Sequence, residues 1–133
     1  MTTSRSVAGI LLRNGKVFTA RREPGGALGG KWEFPGGKVE EGETDGQALE
    51  REFLEEFGAR IKAGALLGEV SFAHRGVTRT LRAYLAELEP GATLVPREHM
   101  ELRWSKPDEL AGLDLVDSDR KLLSYIDAAR RVE

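Results

Sequence analysis

The segment from Thr44 to Gly58 constrains the fold more than any other, because it holds a helix start, a buried face and a helix stop in one register. Thr44-Asp45-Gly46-Gln47 has the pattern of a capping box: the threonine hydroxyl accepts from the backbone N–H of Gln47, and the glutamine side chain returns to the threonine N–H. Leu49, Phe53 and Phe57 then recur at four-residue spacing as one apolar stripe, and Gly58 stands where a left-handed stop belongs. The spacing predicts a helix over about 45–57. Before it, Val7 to Leu12 and Lys16 to Arg21 flank Asn14-Gly15, a hairpin signal because both central residues of a type I′ turn need φ > 0. After it, β-like runs occupy about 61–72, 77–87 and 99–104. A short helix is expected after Pro107, and Ser118 is placed to cap a C-terminal helix burying Leu122, Leu123 and Ile126. Strands broken by one mid-chain helix and ended by another make an α+β sandwich with a mixed sheet.

The chain is 133 residues long and shows no repeat or linker, so residues 1–133 are expected to form one domain. A chain of this size buries roughly two-thirds of the surface it exposes when unfolded, enough for a core without staples. It has no cysteine, which excludes disulfide and thiolate chemistry. Twenty Lys+Arg against 22 Asp+Glu leave a net charge of −2, so neither duplex DNA nor an anionic membrane is an expected partner. Any phosphate must be held locally. The apolar stretch before Arg13 is far short of the roughly 18–20 residues that span a bilayer, and a cytoplasmic home is expected. No feature sets an oligomeric state.

On the predicted helix Glu52, Glu55 and Glu56 stand at i, i+3 and i+4, within an arc of about 100° beside the apolar stripe. Like charges at this spacing each cost a helix about 0.2–0.5 kcal/mol, a penalty removed when a divalent cation sits between them. Hard cations such as Mg²⁺ take oxygen ligands and usually share them with substrate phosphates and water. Alone, such glutamates are most often a solvated face, and Arg51 beside them is equally ordinary. The wider spacing changes that reading: Gly37, Glu43, Arg51, Glu52, Glu55, Glu56 and Gly58 fall in GGKVEEGETDGQALEREFLEEFGA. This stretch resembles the Nudix box, G-x₅-E-x₇-R-E-U-x-E-E-x-G-U with U a bulky aliphatic residue. It departs at Phe53, which is aromatic, and at Ala59, which is small. Both are packing positions. Lys31 to Lys38, Arg97-Glu98-His99-Met100 and Asp119 are similar to the MutT-like branch of Nudix hydrolases.

The resemblance implies an α/β/α sandwich, with a mixed sheet between the box helix and a C-terminal helix. It further implies an enzyme that uses metal-activated water to cleave a nucleoside diphosphate linked to another group. On this chain Glu52, Glu55, Glu56 and the carbonyl of Gly36 would hold Mg²⁺, with Mn²⁺ as a substitute. Glu98 would be a further ligand or general base. Glu43 would stand behind the ligands, and Arg51 would orient the glutamates by charge-assisted hydrogen bonds. Arg22, by family position, and Lys38, which follows the glycine pair, are candidates for phosphate contacts. Trp32 and Phe34 offer planar faces for a base, although such residues are more often core, while the segment Lys31 to Pro35 around them reads as too polar and too glycine-broken for core. Asp119 takes the family position of a polar base-reading side chain, while a plainer role at a helix N-terminus is equally open to it. The expected reaction converts a nucleoside triphosphate, whether an oxidised or modified dNTP or a CTP-type nucleotide, to monophosphate and pyrophosphate. RNA 5′ ends are the rival substrate. A nucleotide-sensing module without turnover is the rival class, against which every charged box position is intact. His74 and His99 lack a spacing motif and read as surface or satisfied positions. Arg75, Arg79 and Arg82 alternate with Val77, Leu81 and Ala83 as a strand with one wet face, a candidate surface for an acidic substrate.

Overall fold

The computed structural model describes residues 3–130. Asn14 and Gly15 take φ of 52° and 74°, both positive as a type I′ turn requires, and join β1 (Thr3–Arg13) to β2 (Lys16–Arg22). Two short strands follow in the glycine-rich segment, β3 (Trp32–Glu33) and β4 (Gly36–Lys38), where the sequence signal is that of a loop. The helix α1 (Asp45–Phe57) has the predicted bounds. Its capping box is complete, with Gln47 N–H donating to Thr44 Oγ1 at 3.1 Å and Thr44 N–H to Gln47 Oε1 at 2.9 Å. Gly58 ends it at φ 64°, donating its N–H to the Leu54 carbonyl. A long hairpin of β5 (Ile61–His74) and β6 (Val77–Leu88) leads to β7 (His99–Ser105), then α2 (Pro107–Leu110), α3 (Asp117–Arg120) and α4 (Leu123–Arg130).

The sheet is mixed and runs β3-β2-β1-β6-β5, with β4 on β1 and β7 on β2. β1 is parallel to β6 and antiparallel to β2 and β4, so one strand ties every early element to the late hairpin. Side chains on β1 alternate: Val7 and Leu11 enter a core with Leu49, Phe53 and Phe57 of α1, whereas Ala8 and Ile10 enter a second core with Leu110, Leu122 and Ile126. The sheet is therefore covered on both faces, as an α/β/α sandwich requires. Each fully buried Leu or Phe of the α1 stripe contributes about 1.5–3 kcal/mol. The aromatic Phe53 is accommodated by Gly9, since a Cβ there would stand 2.7 Å from the Phe53 ring. Phe57 meets Phe18 edge-on at 5.5 Å, and the small Ala59 is fully buried in the same core.

Two expectations need correction. Ser118 does not cap the last helix, because it lies inside α3, whose N-cap is Val116 with no side-chain cap bond. The Leu122 N–H donates to the Asp119 carbonyl, which closes that turn early and makes α4 begin separately, with Leu122 and Ile126 still buried. Trp32 and Phe34 are core residues, 7% and 3% exposed, although their neighbours are polar. No helix among the described residues is long and apolar enough to cross a membrane.

Candidate active site

Arg51 lies at the centre of the glutamate edge of α1. Its Nε donates to Glu43 Oε2 at 2.7 Å and its Nη2 to Glu43 Oε1 at 3.0 Å, the two-pronged geometry that a planar guanidinium favours. Nη1 donates to Glu52 Oε1 at 2.9 Å and to Glu55 Oε2 at 3.4 Å, and Nη2 also reaches the Lys38 carbonyl at 3.1 Å. The hydrogen bond from Arg51 is the main cause that holds the Glu43 carboxyl below its ordinary range, and the same partner holds the guanidinium far above its own. One cation thus fixes Glu52 and Glu55, which the helix alone would drive apart, and ties them to Glu43 of the preceding loop.

The glycine pair makes room for this edge. A Cβ on Gly36 would fall 1.9 Å from the Val7 carbonyl oxygen, so β4 could not lie this close to β1 with any side chain there. A Cβ on Gly37 would stand 2.5 Å from the Glu52 carboxylate. Both residues line a cavity of about 310 Å³ together with Arg22, Glu33, Phe34, Glu52, Glu56, Glu98 and Asp119. Glu55 is more open, with its side chain 57% exposed. Glu56 is the buried member. Burial first, then Glu52 and the charges of Glu33 and Glu98, push its carboxyl far above the carboxylate range, and its Oε2 has no hydrogen-bond partner among the described residues. The Glu52, Glu56 and Glu98 carboxylates and the Gly36 carbonyl offer oxygen donors, one of them buried and unpartnered among the described residues, and such a set fits a hard divalent cation.

The cavity continues into a cleft of about 1000 Å³, the two sharing Ser6, Leu28, Phe72, Val116 and Ser118. Asp119 lines the smaller cavity next to the shared Ser118; its Oδ2 accepts from the Phe34 N–H at 2.8 Å and its Oδ1 from the Ser118 hydroxyl at 3.5 Å. Burial is the main cause that pushes its carboxyl up to about 7. Of the arginines in the late hairpin, Arg79 lines the cleft, Arg82 is tied to Glu69 and Asp45, and Arg75 sits in the turn at φ 53°.

The structure brings together Gly36, Glu43, Arg51, Glu52, Glu55, Glu56, Glu98, Arg22, Phe34 and Asp119. Two of the expected residues stand apart. Trp32 does not line the cavity, and the Arg103 guanidinium lies 5.2 Å from its ring centre. The Lys38 side chain is exposed outside it, with only its carbonyl bound to Arg51. Two residues without an expected role join the site. Glu33 accepts from Arg22 at 3.0 Å, and His99 Nε2 lies 2.7 Å from its second oxygen. Glu33 could be found from the sequence, since it alternates with two apolar aromatics and so faces away from them. His99 could not, because it reaches the site through an irregularity in the β2–β7 register at Arg21/Arg22, which leaves Met100 exposed and His99 buried.

The NUDIX domain model matches residues 3–126 of the chain. A Mycobacterium tuberculosis protein with the provisional name 8-oxo-dGTP diphosphatase 2 is 42% identical over 117 residues, which cover 86% of this chain and 81% of that protein. The CTP pyrophosphohydrolase of Escherichia coli K12 is 36% identical over 124 residues, covering 93% and 91%. The solution structure of the E. coli ORF135 protein superposes with a TM-score of 0.88 at 34% identity, covering 100% of this chain and 94% of the other.

Proposed function

The chain belongs to the NUDIX family and is a hydrolase of phosphoanhydride bonds, and from this premise we propose that it converts nucleoside triphosphates to monophosphate and pyrophosphate with Mg²⁺, or Mn²⁺ in its place. The observation that carries the reading is the continuity of an arginine-fixed carboxylate cluster with a larger, more apolar cleft, with Asp119 on the wall of the first beside the shared Ser118. A triphosphate matches the first and a nucleoside the second. The names of the relatives, one acting on CTP and one provisionally on 8-oxo-dGTP, point to the same substrate class.

Glu52, Glu55, Glu56, Glu98 and the Gly36 carbonyl would hold the cation. When bound it neutralises charge on phosphate oxygens and lowers the pKa of a coordinated water. Arg51 keeps the glutamates in place through Glu43, so that they need no rearrangement when substrate arrives. Glu98 is exposed at the cavity wall and suits the removal of a proton from attacking water. Arg22, also on the wall, meets phosphate charge, while its Nη1 stays on Glu33. Asp119 reads the base through Oδ1, because Oδ2 is committed to the Phe34 N–H. Its carboxyl, raised by burial, pairs with a donor such as the cytosine amino group when ionised and with a carbonyl when protonated.

The test is a substrate panel with product identification: CTP, dGTP, 8-oxo-dGTP, dTTP and a 5′-triphosphorylated oligoribonucleotide. The expected result is pyrophosphate from free nucleotides, with a higher kcat/KM than for the RNA. A kcat/KM for the RNA above that of every free nucleotide would overturn the reading, as would the absence of turnover.

A further inference from the structure

Glu33, Glu56 and His99 are the one group of described residues in which an imidazole and two carboxylates offer ligand atoms within 4.8 Å of one another. Three separate elements deliver them: β3, α1 and the first residue of β7. His99 Nε2 lies 2.7 Å from Glu33 Oε2 and 3.7 Å from Glu56 Oε1. The first distance is a hydrogen bond and the second is too long for one. Glu56 is 5% exposed and His99 7%, yet Glu56 Oε2 and His99 Nδ1 have no hydrogen-bond partner among the described residues. Buried carboxylates are normally paired or bound to metal. The orientation of the imidazole is fixed by stacking on the Phe57 ring at 5.3 Å and 10°. Arg22 holds Glu33 by its other oxygen, Oε1, and so leaves Oε2 turned towards His99.

We propose that Glu33, Glu56 and His99 form a binding site for a zinc-class transition-metal dication that Mg²⁺ does not fill. The nitrogen donor sets the selectivity, because imidazole suits Zn²⁺, Co²⁺ and Ni²⁺, whereas Mg²⁺ keeps to oxygen ligands and water. Three protein ligands with an open remainder are the arrangement of an exchangeable site, and these residues face a cavity of about 390 Å³ that has room for water at the other positions. The site shares only Glu56 with the glutamate edge around Arg51. It goes beyond nucleotide hydrolysis and does not depend on which nucleotide is cleaved.

The chain has two histidines, His74 and His99, so a long-range ¹H–¹⁵N spectrum of the imidazoles reports on the site without any activity assay. Zinc alone is titrated into the chelator-treated chain in millimolar Mg²⁺. One equivalent should move the His99 Nε2 resonance, and the shift should persist in Glu55→Gln. Glu33→Gln, a change at a partly exposed residue, should weaken the zinc affinity at least about tenfold. His99→Ala is the less useful variant because it also removes the stack on Phe57, and Glu33→Gln keeps the test decisive. Zinc that leaves the His99 resonances unmoved, or that binds Glu33→Gln as tightly as the native chain, overturns the proposal. Displacement of the zinc by millimolar Mg²⁺ overturns it as well.

Discussion

Replacing Asp119 with asparagine should make the stability of the protein less dependent on pH. The carboxyl is 7% exposed, and burial raises it from 3.8 to about 7. A carboxyl whose folded pKa lies above its unfolded value binds its proton more tightly in the folded state. Its penalty is therefore absent below the unfolded pKa, grows as pH rises through the window from 3.8 to about 7, and is constant above it. A shift of about 3 units corresponds to about 4 kcal/mol, of which about 2–3 kcal/mol falls between pH 5 and 7 at 1.36 kcal/mol per unit. Asparagine keeps an oxygen for the Phe34 N–H but cannot ionise, so Asp119→Asn should escape that loss. Urea unfolding of metal-free protein at several pH values gives both curves. The difference between them isolates Asp119 from Glu56, whose raised carboxyl acts in the same direction in each. Curves that run parallel from pH 5 to 8, or a variant that gains stability only at acid pH, would refute the reasoning.

Other perturbations test the remaining parts of the site. Glu55→Gln and Glu56→Gln should each lower kcat by at least about 100-fold at saturating Mg²⁺ while the far-ultraviolet circular dichroism stays native, and near-normal turnover by both would remove the metal assignment. Gly37→Ala places a Cβ 2.5 Å from the Glu52 carboxylate and should raise the Mg²⁺ concentration for half-maximal rate at least about tenfold, read from a metal titration of initial rates. Arg51→Lys keeps the charge but loses the two-pronged contact to Glu43, and chemical unfolding should show a lower denaturation midpoint than the native chain.

The parts legible in the sequence are those whose causes are local. Thr44, Gln47 and Gly58 act within one turn of the residues they cap, so both ends of α1 could be placed, and Asn14-Gly15 fixed the first hairpin for the same reason. The spacing of Glu43, Arg51, Glu52, Glu55 and Glu56 could be assembled before any fold was known, because four of the five share one helix. What was hidden depends on partners distant in sequence. β3 and β4 are two and three residues long and exist only through pairing with β2 and β1. Trp32 and Phe34 are buried because Leu115, Leu122 and their neighbours return over them late in the chain, which no local pattern announces. The meeting of Glu33 and His99 crosses 66 positions of sequence and rests on a shift in strand register.

In the proposed reaction the glutamate edge of α1 directs water to a phosphoanhydride bond of a nucleoside triphosphate. Its most direct measurement is hydrolysis of CTP or 8-oxo-dGTP in ¹⁸O-enriched water with Mg²⁺, followed by ³¹P spectra and mass analysis of the products. The expected result is equal amounts of monophosphate and pyrophosphate, label at one phosphorus only, and loss of both products on chelation or in Glu55→Gln. Stepwise release of orthophosphate, or turnover that persists in chelator and in Glu55→Gln, would contradict it.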